Sequence, residues 1–174
     1  MERIRYFDHA ATTATKEEVI KEMLPYFGLN YGNPSSVYSI GRKSRKAVED
    51  ARQKVARAIG ADSKEIYFTS CGSESDNLAI KGVAYANREK GNHIITTKIE
   101  HPAVLHTCQN LEKQGFVVTD LNVDKDGLIS LEQLEQAITD KTILISIMFA
   151  NNEIGTIQPI REIGEIARRH DIYF

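Results

Sequence analysis

The sequence predicts an α/β fold, a mostly parallel sheet flanked by helices. Three observations carry this. From residue 65 onward short β-type runs alternate with stretches of helical periodicity, a strand, tight turn and helix unit recurs, and no repeat, low-complexity tract or long linker interrupts the series. Such alternation implies parallel strands joined by right-handed helical crossovers that cover both faces of one sheet.

The elements follow in order. From Ser44 the residues Ala47, Val48, Ala51, Val55, Ala58 and Ile59 keep the spacing of one helical face, and Gly60 supplies a stop. Glu65 to Thr69 reads as a strand, Ser70 to Ser73 as a tight turn, and Glu74 to Glu89 as a helix with Leu78, Val83 and Ala86 inward. His93 to Thr97 is a strand, Ala103 to Gln114 a helix, Phe116 to Val123 a strand and Leu131 to Thr139 a helix. Thr142 to Phe149 is the most apolar strand. Pro159 to Arg169 is a helix with Pro in its first turn and Ile160, Ile163 and Ala167 on one side. Ile172-Tyr173-Phe174 reads as the start of a further buried strand, so the sheet is expected to be incomplete, because a half-started strand leaves backbone donors without partners.

Composition narrows the function. The 174 residues hold 22 Lys+Arg against 24 Asp+Glu, a formal charge of −2, with 41% apolar residues. That is ordinary globular usage rather than that of a disordered chain. The near-neutral balance argues against nucleic acid as partner, since its binders carry a basic excess. The longest mostly apolar stretch, Ile143 to Ala150, falls far short of the roughly 20 residues of a membrane helix. Met1-Glu2-Arg3-Ile4-Arg5 leads into Tyr6-Phe7-Asp8 without an apolar leader core, and Cys71 and Cys108 form no disulfide framework or zinc motif. A cytoplasmic, reduced compartment is expected, with no membrane partner and no metal.

Open α/β sheets bind ligands beyond the carboxyl ends of their strands. Thr69-Ser70-Cys71-Gly72-Ser73-Glu74 joins a strand to a helix there: Gly72 permits a tight turn, and hydroxyls and free helical N–H groups favour a phosphate, although Ser73 could serve only as a helix cap. Lys98-Ile99-Glu100-His101-Pro102 follows the next strand, with Pro102 suited to a first helical turn and His101 able to stack on a planar ligand or move protons. Asn151-Asn152-Glu153-Ile154-Gly155 follows the most apolar strand and offers uncharged amides, or a plain turn. Phe7 to Thr13 and Tyr31 to Ser36 read as an ordered arm. Cys71 stands beside a helix start, which can depress a thiol, but reads as a small buried residue rather than a nucleophile.

These residues carry a resemblance over essentially the whole chain. YFDHAATT, GNPSS, EIYFTSCGSESDNLAIKG, HIITTKIEHPAVL, DGLISLEQLEQAI and TILISIMFANNEIGTIQPI occur in this order, and together they resemble the N-terminal part of cysteine desulfurases of the NifS and IscS type, class V members of the fold type I pyridoxal 5'-phosphate (PLP) enzymes. The resemblance implies an N-terminal arm and helix over residues 1–30, with the first part of a PLP-binding large domain over 31–174. It implies that Gly72 and Ser73 hold the cofactor phosphate, that His101 stacks on the pyridine ring and serves proton transfer, and that Asn152 bonds the ring's phenolic oxygen. Tyr38 stands where several relatives have His, and Cys71-Gly72 replaces a commoner Gly-Ala pair.

The resemblance further implies that the aspartate paired with the pyridine nitrogen, the Schiff-base lysine and the sulfur-accepting cysteine all follow Phe174 in the family's order. Lys81, Lys98 and Lys141 do not stand in the lysine's context. The implied activity is removal of sulfur from L-cysteine, giving L-alanine and an enzyme persulfide for iron-sulfur cluster or thio-cofactor synthesis. A sulfur-acceptor protein and a homodimer are the implied partners, with the 174 residues inactive alone. Two other readings stand beside it: another class V enzyme such as a selenocysteine lyase or aminotransferase, or a non-catalytic remnant or half-protein that needs a partner chain.

Overall fold

The computed structural model describes residues 5–174, so Met1 to Ile4, and with them the start of the expected leaderless N-terminus, lie outside it. The chain divides into two units, 1–68 and 69–174.

In the first unit α1 (Glu17–Met23) runs into a 3-10 turn over Leu24–Phe27, and α2 (Ser39–Ile59) is the longest helix. The helix begins five residues before the predicted start at Ser44. It ends as its sequence dictates, with Gly60 in the left-handed region at φ 69°. The GNPSS turn is clipped onto it. Asn33 Oδ1 accepts from the Ser35 N–H at 2.9 Å, Arg45 Nε donates to the Pro34 carbonyl at 2.8 Å, and Arg42 donates to the Val37 carbonyl at 2.6 Å. The apolar stripe predicted for α2 is present but uncovered: Val48, Val55 and Ile59 are exposed, and Gly41, Ser44 and Ala56 are the buried positions. Periodicity fixes which side chains share a face, whereas burial needs a neighbour.

The predicted strand Glu65 to Thr69 does not form a ladder. Ser63–Glu65 is a 3-10 turn under a capping box from Asp62, and the segment then runs extended without a strand beside it among the described residues. Ile66 is buried while Tyr67 and Phe68 remain exposed, with the Arg52 guanidinium 5.0 Å from the Phe68 ring centroid.

The second unit holds the sheet. It begins with α3 (Gly72–Ala86) and continues through β1 (His93–Thr97), α4 (Pro102–Glu112), β2 (Val117–Leu121), α5 (Leu131–Ala137), β3 (Thr142–Ile145) and α6 (Ile160–Arg169). The strands are parallel in the order β2-β1-β3, with His93 opposite Val117 and Thr142, and Ile95 opposite Thr119 and Ile145. Ile143 is an extra residue in β3, which shifts its register after His93. Beyond β3, Tyr173 pairs in parallel with Leu144, and its carbonyl accepts from the Ile145 N–H at 2.8 Å.

β1 is buried along its whole length, and its alternating side chains divide the core in two. Ile94 packs with Ile80, Ala84, Val104, Cys108, Leu111, Phe116 and Leu144, the side of α3 and α4. Ile95 packs with Leu121, Leu134, Ile145, Ile163, Ile166 and Ala167, the side of α5 and α6. Both faces of the sheet are covered, as predicted.

The differences in detail have local causes. α3 turns Ile80 and Ala84 inward and leaves Leu78 exposed, because it carries apolar residues on two sides and the sheet selects one. β3 is four residues long rather than eight. Pro159 occupies the cap before α6 rather than its first turn. Pro102 does open α4.

Candidate functional site

β1 and β3 are neighbours whose following helices leave to opposite faces, α4 toward the Ile94 side and α6 toward the Ile95 side. Their carboxyl ends therefore flank a crevice at a topological switch point, where open α/β sheets bind ligands. The loop after β1 carries His101. The loop after β3 carries Asn152.

His101 is the cap residue of α4, exposed, with its Nδ1 accepting from the Ala103 N–H at 3.1 Å. That bond leaves Nε2 as the protonated nitrogen of the neutral ring, free to donate to a ligand. Pro102 fixes the helix start directly behind it.

Asn152 is exposed, and its Nδ2 donates to Glu153 Oε1 at 2.9 Å. The amide is thus turned along the loop and reaches a ligand after side-chain rotation. Its buried neighbour Asn151 holds the loop in shape. Asn151 Oδ1 accepts from the N–H groups of Glu153 and Ile154 at 2.8 and 3.0 Å, and Gly155 takes φ 75° to close the turn.

Gly72 and Ser73 are the first two residues of α3, whose N-terminus has no side-chain oxygen cap. Nothing lies within 4 Å of where a Gly72 Cβ would stand, so the backbone is open to close approach. α3 runs back toward the start of β1 and packs against α4, which places its first turns at the carboxyl edge of the sheet. Burial raises the pKa of Glu100 in the His101 loop, and the charge of Asp76 on α3 adds a smaller push in the same direction. Free N–H groups and the helix dipole at such a terminus favour an anion. Ser70 is held outside that position by Glu74, whose Oε2 accepts from its N–H and hydroxyl, both at 2.6 Å.

Cys71, expected to be buried, is exposed. The Glu74 N–H holds its thiol below the ordinary value. Cys108, buried between sheet and helix, is pushed up to about 12 by desolvation.

Two residues of this edge went unassigned in the sequence. Glu100 is buried, its Oε1 accepting from the Met148 N–H at 2.7 Å and the Thr97 hydroxyl at 3.0 Å. Asn151 Nδ2 donates to the Ile99 carbonyl at 2.8 Å. The available signal was a carboxylate beside His101 at the end of an apolar strand, where burial demands partners. Among the described residues no three His, Cys, Asp or Glu side chains gather as a metal site, and no helix is long and apolar enough to cross a membrane.

A family profile described as aminotransferase class-V matches residues 5–174. A protein of Clostridium botulinum named cysteine desulfurase IscS is 63% identical over 169 residues, 97% of this chain and 43% of that protein. A solved structure described as a NifS-like protein superposes with a TM-score of 0.92 at 43% identity, over 95% of this chain and 46% of that one. Another, described as SspA in complex with cysteine, gives 0.93 at 45% identity over 98% and 49%. The chain spans less than half the length of each of these proteins.

Proposed function

This chain belongs to the class V aminotransferase family, and from that membership we propose that it forms the cofactor-binding N-terminal part of a cysteine desulfurase. The class V and cysteine desulfurase relatives are PLP-dependent enzymes. The reaction is removal of sulfur from L-cysteine, leaving L-alanine and passing sulfur through a cysteine persulfide to an acceptor protein, in a cytoplasmic homodimer. Residues 31–174 belong to the large domain, behind the arm and helix of 1–30. The observation that carries the reading is the switch-point crevice, with His101 and Asn152 on its two loops, together with the start of α3, where no side chain of the cap residue closes the helix end. The solved relative described with cysteine supports the substrate.

The residues fit a phosphorylated planar ring. Gly72 and Ser73 offer backbone N–H groups and the positive end of a 15-residue helix to the phosphate, and the empty space at Gly72 admits it. When bound, PLP supplies an electron sink for bond cleavage at the substrate carbon. His101 would pack its ring on the cofactor and hold a proton at Nε2 for transfer to or from the substrate. Asn152, once rotated away from Glu153, would donate through Nδ2 to the ring oxygen and hold it without adding charge.

The test uses a full-length hybrid in which this chain replaces the matching segment of the Clostridium botulinum relative. The hybrid is expected to bind PLP and form alanine from L-cysteine. Replacing His101 by Ala should slow alanine formation by roughly 10²- to 10⁴-fold while costing only about 1 kcal/mol of stability, the loss of one helix-cap hydrogen bond. Release of selenide or a keto acid in preference to sulfide would reassign the substrate, and unchanged turnover in the variant would remove His101 from the chemistry.

A further inference from the structure

The loops that carry His101 and Asn152 belong to different strands, and the side-chain hydrogen bond of each residue stays within its own loop. Two buried side chains join them. Glu100, 7% exposed, reaches from the His101 loop to the backbone of the Asn152 loop, where its Oε1 accepts from the Met148 N–H at 2.7 Å, while the Thr97 hydroxyl steadies the same oxygen at 3.0 Å. Asn151, also 7% exposed, reaches back, its Nδ2 donating to the Ile99 carbonyl at 2.8 Å. The two struts run in opposite directions across the mouth of the crevice, each starting from the residue directly before a site residue and ending on the main chain of the opposite loop.

We propose that Glu100 and Asn151 are positioning residues, a reciprocal brace that sets the separation of His101 from Asn152 across the switch-point crevice. The proposal rests on the reading of that crevice as the cofactor site. A carboxylate is costly to bury, and this one faces the like charge of Asp76 from α3. Its two hydrogen bonds offset part of that cost. An apolar side chain would fill the same space without desolvating a charge, but would leave the half-buried Met148 N–H without its partner and the two loops joined by the Asn151 strut alone. The brace works through acceptance of hydrogen bonds rather than through charge, so a glutamine amide oxygen can replace the carboxylate oxygen and an alanine cannot.

The experiment compares Glu100→Gln, Glu100→Ala, Asn151→Ala and the milder Thr97→Val in the full-length hybrid holoenzyme. Amide exchange at Met148, the absorption band and release rate of bound PLP, and kcat and KM for L-cysteine are read in each. In Glu100→Ala and Asn151→Ala, PLP release should quicken and kcat fall by about tenfold or more, with KM changed by less than about threefold, because misplacement acts on the reacting geometry. Met148 exchange should quicken in Glu100→Ala, and Glu100→Gln should stay within about threefold of the parent throughout. If Glu100→Ala does not fold, Thr97→Val, which removes one of the two bonds, should show the same changes in smaller measure.

Equal impairment of Glu100→Gln and Glu100→Ala would overturn the brace in favour of a need for charge. So would folded Glu100→Ala or Thr97→Val protein with parental kcat and PLP band. A parent hybrid that binds no PLP would instead defeat the reading of the site. The brace would then stand or fall on Met148 exchange and on whether the His101 ring signals move in Glu100→Ala but not in Glu100→Gln.

Discussion

His93 Nδ1 lies 2.7 Å from the hydroxyl of Thr142, joining β1 to β3 at the amino edge of the sheet, opposite the crevice, while its Nε2 lies 2.9 Å from the hydroxyl of Thr119 on β2. One imidazole thus ties together all three strands. It is buried, and desolvation holds its pKa below 6.5, so the fold favours the neutral ring. The unfolded chain takes up a proton at a pH where the folded one does not. Stability is therefore full above about pH 6.5 and declines as pH falls through the unfolded-state value toward the lower folded one. Urea midpoints between about pH 7.5 and 5.5 should fall for the parent and fall less for His93→Gln. Equal slopes would mean that His93 is not the group responsible.

Close packing makes a second position on this edge intolerant. A Cβ on Gly91 would overlap the carbonyl oxygen of Lys141, the same oxygen that accepts the His93 N–H at 2.9 Å. Gly91→Ala must push the start of β3 away from β1, and overpacking of this kind costs about 1–3 kcal/mol. Gly82, with nothing within 4 Å of its absent Cβ, provides the control. Gly82→Ala should be neutral or slightly stabilising, since Ala is the better helix former. Denaturant midpoints for the two variants check the contrast.

The strands and helices that the sequence identified are those with unambiguous local patterns. β1 was read at its observed bounds because HIITT is flanked by turn residues, and α6 to within one residue, Pro159 being its cap rather than part of its first turn, because Ile163 and Ala167 share one face. Glu65 to Thr69 has the composition of a strand without a ladder, because pairing is a property of two segments and not of one. The same limit applies at the site. His101 and Asn152 were legible as side chains suited to a ligand at strand ends. The bonds from Glu100 to Met148 and from Asn151 to Ile99 cross about 50 residues of chain and follow from the strand order β2-β1-β3, which no local pattern records.

The two thiols should separate sharply by reactivity. Cys71 is exposed, and a hydrogen bond from the Glu74 N–H stabilises its thiolate. Cys108 is buried against the sheet with its pKa pushed up to about 12. The thiolate is the nucleophile, so iodoacetamide at about pH 7 should alkylate Cys71 in the native protein while Cys108 reacts only after unfolding. Cys71 directly precedes the Gly72-Ser73 helix start, so a phosphate held there should shield it, and PLP should slow the labelling in the hybrid holoenzyme. Peptide mass mapping with and without PLP reads both effects. Rapid Cys71 labelling that PLP leaves unchanged would place the cofactor phosphate away from the start of α3.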